Sequence, residues 1–185
     1  MDASQIENWA FSRTDAAALT GITSAQIGNF VSKYDLFPGR PKGQGFHISF
    51  RLRELMKLAA AQALVELGLR PEQAAMALRG IQGPYGAMLH DGYNALGHCP
   101  GTIAFTRNFD GRWIAADGLD KPASLQIRAW PIFDEMWPRL RALILKEGVS
   151  EPRPYPGDVE EGLAAFEKKI ADIRAERWRD HAPTA

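Results

Sequence analysis

The sequence predicts an α+β protein, mainly α with a small β component. Three observations lead there. Apolar residues recur at helical spacing through most of the first 80 residues and again after residue 130. Between residues 102 and 130 the period drops to two, with an Asp-Gly turn between the alternating runs. Stretches rich in proline and glycine at 38–45, 80–86 and 151–157 punctuate the chain.

Ser12 opens the first helix of the N-terminal part. Its hydroxyl can cap, and Asp15, at the third helical position, can return the bond. Ala16 to Leu19 continue the helix and Thr20-Gly21-Ile22 stops it, since glycine tolerates the left-handed turn required. Thr23 or Ser24 then caps a second helix over about residues 25–33. Two short helices joined by a glycine-containing turn form a helix-turn-helix pattern. In the second helix Ile27, Phe30, Val31 and Tyr34 are spaced to face a core, and Gln26, Asn29 and Lys33 fall on another side. Amide side chains can pair bidentately with adenine and a lysine one turn on can reach phosphate; a merely solvated polar face is the alternative.

The stretch 38–45 is short, basic and made of turn formers, and Phe46-His47-Ile48-Ser49-Phe50 alternates as a short strand does. Turn, basic loop and strand after a helix-turn-helix read as a wing. A long helix follows over 51–67, with Leu52, Leu55, Met56, Ala59, Ala63 and Leu67 as its apolar stripe, and then a helix over 72–78 with Pro71 at its first turn.

Gly80-Ile81-Gln82-Gly83-Pro84-Tyr85-Gly86 is expected to be a boundary, with a short helix within 87–97. Strands are expected from Thr102 to Phe109, over 112–116 and over 124–130, with the first two joined through Asp110-Gly111. Pro131 suits the first turn of a helix over 132–146, in which Pro138 would produce a kink or a split. After a stiff proline-rich linker, a last amphipathic helix is expected over 158–179. There Val159, Leu163, Phe166, Ile170 and Ile173 form a short heptad seam, suited either to a partner helix or to packing on its own domain. The domain reading is 9–80, 87–150 and 158–180, the last a possible dimerisation helix.

Charge is balanced, 22 Lys/Arg against 22 Asp/Glu, but unevenly placed. Lys33, Arg40, Lys42, Arg51, Arg53 and Lys57 stand against only Asp35 and Glu54 in the stretch 33–57, a local basic patch of the kind phosphate contact needs. The alternative is again a solvated surface. No apolar run is long enough to span a membrane, the first residues lack a signal-peptide pattern, and the one cysteine, Cys99, permits no intrachain disulfide. A cytoplasmic protein without membrane association is expected.

No cofactor or metal is expected. His90, His98 and Cys99 lack the paired spacing of a zinc site, and Asp117 and Asp120 lack the other ligands of a calcium loop. Gly43-Gln44-Gly45 is not followed by a P-loop lysine, and no hydrolase triad is visible, so catalysis is not expected. Phe105, Phe109, Trp113 and Trp130 can serve a core or line a ligand pocket.

The order of landmarks over residues 9–80 resembles the MerR family. The resemblance rests on Phe11-Ser12 at the first helix and Leu19-Thr20-Gly21-Ile22 at the turn. It continues with Leu36-Phe37-Pro38 before the wing, Gly45-Phe46-His47-Ile48 in it, and Leu64, Leu67-Gly68-Leu69 and Pro71-Glu72 between the last two helices. It implies a winged helix-turn-helix, a homodimer on double-stranded DNA at a two-fold symmetric site, and transcriptional regulation with an effector of unknown kind. On that reading Ala25, Gln26 and Asn29 meet bases, and Arg13, Ser24, Lys33, Arg40, Lys42 and His47 meet phosphates. Two departures stand out. Gly28-Asn29-Phe30 occupies the place of the family's Arg-Tyr-Tyr-like run, and Gly80 to Gly86 would break the long dimer helix that usually follows. Two alternatives remain: an excisionase-like or architectural DNA-binding factor, and a protein-interaction or ligand-binding protein whose helix-turn-helix no longer binds DNA.

Overall fold

A computed structural model of the chain describes residues 3–40, 48–79, 81, 83–89, 101–115, 124–150 and 156–180. In chain order they form α1 (Ala3–Glu7), α2 (Arg13–Thr20), α3 (Ser24–Gly28), a π-helical turn (Asn29–Lys33), α4 (Leu52–Glu66), α5 (Pro71–Arg79) and α6 (Gly83–Leu89). The strands β1 (Thr102–Arg107), β2 (Trp113–Ala115) and β3 (Leu125–Arg128) follow, then α7 (Ala129–Ser150) and α8 (Pro156–Asp180). The sheet is antiparallel with order β2-β1-β3. Phe105 lies opposite both Ala115 and Leu125. Helix with a small antiparallel sheet is thus the observed architecture.

Helix α4 is the centre. Eight of its fifteen residues are buried, because α2, α5, α6 and α7 pack around it and β3 also touches it. The single stripe expected from periodicity therefore holds only in its first half. Leu58, Ala60, Ala61 and Leu64 are buried, whereas Leu67 is exposed. A helix covered on most sides shows no polar face by which to find its buried one.

The expected boundary at 80–86 is corrected. From Gly83 the chain is a helix, and Gly83 to Met88 are all buried, packed on α4. Gly83 takes the left-handed φ of +71°, and a Cβ there would touch the Lys57 side chain at 3.4 Å. Pro84 follows in the first turn, where its missing N–H costs nothing. Glycine and proline here allow close approach between helices rather than marking a linker. One continuous apolar core runs from Ile6 to Ile170 and includes residues on both sides of this point.

In the hairpin, Asn108 Oδ1 accepts from the N–H groups of Asp110 and Arg112, and Gly111 sits at φ +73°. The connection is thus the five residues 108–112 rather than the expected Asp-Gly pair. Phe105 and Trp130 are core, while Phe109 at the tip is fully exposed. The third strand ends at Arg128, where Ala129 N–H donates to the Gly101 carbonyl at 2.7 Å and starts α7. Helix α7 runs unbroken through Pro138, which is exposed; the expected split does not occur.

The heptad seam of α8 is used inside the chain. Val159, Leu163, Phe166 and Ile170 are buried, with α1 and α7 as the neighbours of α8. Phe166 packs on Phe133 and Trp137 of α7, at centroid distances of 6.3 and 5.1 Å. Buried Arg177 donates to the Ala87 carbonyl at 2.9 Å, tying α8 to α6. The seam is thus not available to a partner helix, and α1, a helix that periodicity did not reveal, covers part of it. Truncation of Phe166 to alanine is expected to destabilise the fold by roughly 3–5 kcal/mol. Urea unfolding of Phe166→Ala should show that loss unchanged over a hundred-fold range of protein concentration, as an intramolecular seam requires.

Candidate nucleic-acid interface

Local caps hold the N-terminal helices in place. Asp15 N–H donates to Ser12 Oγ at 3.2 Å and Ser12 N–H to Asp15 Oδ2 at 2.9 Å, a reciprocal box that satisfies two otherwise orphaned donors. Gly21 at φ +73° ends α2. Thr23 caps α3, and Gln26 returns the bond: its Oε1 accepts from Thr23 N–H at 3.0 Å and Thr23 Oγ1 at 2.8 Å. Beneath these helices Ile27, Phe30 and Val31 are buried, with Tyr34 partly so.

The second helix differs from expectation in its last turn. Tyr34 N–H reaches back to the Asn29 carbonyl at 2.9 Å, and Leu36 N–H to that of Phe30, so the chain widens into a π turn. Carbonyls freed at its end are taken by α5. Arg79 donates to the Tyr34 carbonyl at 2.8 Å and to the Asp35 carbonyl at 3.0 Å. Single π turns of this kind occur often at functional sites.

Arg13, Ser24, Ala25, Gln26, Asn29 and Lys33 are all exposed, so these six sequence-derived site residues lie at the surface of the α2–α3 unit. Arg13 lies beside α3: its Nη1 is 3.9 Å from where a Cβ on Gly28 would be. Lys33 leans over the Tyr34 ring at 5.2 Å. Gln26 carries a second duty, since bidentate pairing with a base would draw its carbonyl oxygen away from Thr23. Lys42 and His47 lie outside the described residues, as do His90, His98, Cys99, Asp117 and Asp120. Of the expected wing strand, Ile48 and Ser49 are irregular and Phe50 forms an isolated antiparallel bridge with Phe11.

The basic patch is less available than its sequence suggests. Arg40 is ion-paired with Glu54, and its guanidinium lies 4.9 Å from the Phe37 ring and 5.1 Å from that of Phe50. Arg51 donates to Asn8 at 3.2 Å. Lys57 is buried and donates to the carbonyls of Arg79 and Ile81 at 3.2 and 3.0 Å. Burial lowers its pKa to about 8, against the opposing pull of Glu54. Arg40 and Lys57 thus serve the interior, which linear charge counting could not distinguish from surface charge. One sequence signal did mark Lys57: it stands between Met56 and Leu58 in an apolar run.

Searches with this chain matched no protein-family model, no curated protein and no solved structure. Among the described residues no group of three or more His, Cys, Asp or Glu could hold a metal ion. No helix among them is long and apolar enough to cross a membrane.

Two predictions follow from this geometry. Gly28 has helical φ/ψ and ordinary space for a methyl group, so Gly28→Ala should stabilise the protein by about 0.5–1 kcal/mol in urea unfolding. Lys57 sets a pH dependence. Below about pH 8 the folded and unfolded chains both hold its proton; between about 8 and 10.5 only the unfolded chain does. Stability attributable to Lys57 therefore rises with pH through that window, by on the order of 1 kcal/mol per unit. Tyr85, whose pKa is raised first by burial and then by nearby Glu7, opposes the rise above its ordinary value of 10. Wild type should gain stability between pH 8 and 10 relative to Lys57→Met.

Proposed function

We propose that the chain is a DNA-binding regulator of MerR-like type that reads a duplex through α3 and the π turn after it. The observation that carries this is the exposed set on the capped α2–α3 unit, with its buried side locked by Ile27, Phe30 and Val31. Asn29 supplies the donor–acceptor pair suited to adenine in the major groove. Arg13, Ser24 and Lys33 supply phosphate contacts, which fix register without reading sequence. Gln26 contributes chiefly by capping and Ala25 by letting a base edge approach. Arg40 is reassigned from phosphate contact to the interior. Lys42 and His47 keep their proposed backbone role, and a two-fold symmetric site would require a homodimer.

A second reading is favoured by one observation: two of the six cations in the basic stretch are already engaged within the protein, Arg40 by Glu54 and Lys57 by backbone carbonyls. On that reading the unit is a scaffold for a protein or ligand contact and does not touch DNA.

Fluorescence anisotropy on sheared genomic DNA from the source organism, across a salt titration, separates the two. A reader should bind with a logarithmic salt slope of about −0.9 per phosphate contact. Lys33→Ala should lower that slope by about one, whereas Asn29→Ala should leave it unchanged and weaken discrimination at one base by about 1–3 kcal/mol. Absence of binding at low salt by folded protein overturns the proposal and leaves the scaffold reading.

A further inference from the structure

The later part of the basic stretch borders a half-open cavity of about 450 Å³, a size typical of small-molecule sites. Its walls come from the end of α1, the segment leaving the π turn, α4 and the start of α6. Phe37, Ile81 and the Tyr85 ring give it an apolar side.

Hydrogen-bond capacity on the other side is unbalanced. The Tyr85 hydroxyl is buried, on a residue only 8% exposed, and faces the Glu7 carboxylate without a well-formed hydrogen bond. Arg40 Nη1 is also buried without a partner, although Nη2 is paired with Glu54. Lys57 spends two of its three N–H bonds on carbonyls. The two acids in the wall are already committed: Glu54 to Arg40 and to the Arg51 N–H, Glu7 to Lys169. Unspent donors beside satisfied carboxylates call for an acceptor. Burial and Glu7 keep the Tyr85 hydroxyl protonated across the physiological range, so it remains a donor. A doubly charged phosphate would meet Glu7 and Glu54 in the wall and be repelled; a single carboxylate meets the same donors at lower cost.

We propose that this cavity binds a small organic monocarboxylate with a flat apolar body, held by Tyr85 and Arg40, and that its occupancy regulates the DNA-reading face. The binding half stands on the cavity alone, whereas the regulatory half rests on the DNA-binding reading. The link is short. Phe37 and Arg40 in the wall follow directly on the π turn, and the turn's end is pinned by Arg79, whose own carbonyl accepts from Lys57. A ligand that draws Arg40 from Glu54 acts on the chain leaving the proposed recognition element.

Isothermal titration calorimetry on the full chain tests binding, with benzoate as the probe and hexylamine and inorganic phosphate as charge controls. Benzoate should bind, and neither control should bind as tightly. Tyr85→Phe should weaken benzoate roughly ten-fold or more with little change in the melting temperature of the free protein, since the hydroxyl has no well-formed hydrogen bond to lose. Failure of folded wild type to bind benzoate, tighter binding of either control, or equal binding by Tyr85→Phe would each overturn the site. Benzoate is then added to the DNA anisotropy assay. A shift in DNA affinity of five-fold or more, about the lower bound of ordinary allosteric coupling, supports regulation. Unchanged affinity with benzoate bound overturns regulation while leaving the site. Absence of DNA binding in both conditions overturns the DNA reading and regulation together, whereas the calorimetric result stands independently.

Discussion

Helix α4 must be covered almost all round, and the rest of the structure is arranged to do it. Its buried surface includes leucines on more than one face and the small residues Ala60 and Ala61. Small side chains lower the wall that a neighbouring helix must clear. Helix α6 answers with Gly83, Gly86 and Ala87, all buried. Close helix packing of this kind sacrifices helix propensity at the glycines and recovers it in dispersion contact. The same requirement draws Lys57 inside. Its position on α4 is enclosed, so its polar end is accommodated by donating hydrogen bonds to the carbonyls at the end of α5 and just beyond.

That central helix makes a small, locally capped unit into a fixed platform. Helices α2 and α3 have their own reciprocal caps, but eight- and five-residue helices are too short to persist alone in water. What holds them is burial of Leu19, Ile22, Ile27 and Phe30 in the common core, with Arg79 on one side and Arg139 donating to the Ala18 carbonyl on the other. Both arginines reach across long sequence separations, and through Arg139 the C-terminal half contributes directly to holding the N-terminal surface.

Charge follows the same division between interior and surface. Cations adjacent in sequence have separate roles because only some of them lie near uncovered polar atoms. Arg40 lies against the adjoining Phe37 and Phe50 rings and is paired with Glu54, an arrangement a planar guanidinium suits better than an ammonium would. Arg13 and Lys33 have no such enclosure. Lys33 on the outward face and Arg40, Arg53 and Lys57 in the cavity wall come from one basic stretch, with the end of the π turn and the segment after it between them.

Local order was largely written in the sequence. Ser12 with Asp15, Thr23 with the residue three ahead, and Gly21 at the turn act within a few residues, so their spacing alone locates α2 and α3. Alternation in 102–107 likewise locates β1, and the pattern Ile27, Phe30, Val31 separates the buried side of the second helix from its exposed side. What only the tertiary structure decided are the features in which a residue's role depends on what arrives from far along the chain. Gly83 to Gly86 became a buried helix because α4 packs against it, with the Lys57 side chain lying over Gly83. The seam of α8 was consumed by α1 and α7, although the same heptad spacing would suit a partner helix. Arg40 and Lys57 turned inward because Glu54, the two phenylalanines and the α5 carbonyls converge there. Short-range hydrogen bonding is encoded by spacing; burial is a property of the assembled whole, and the identity of a polar side chain does not say which side of that surface it will occupy.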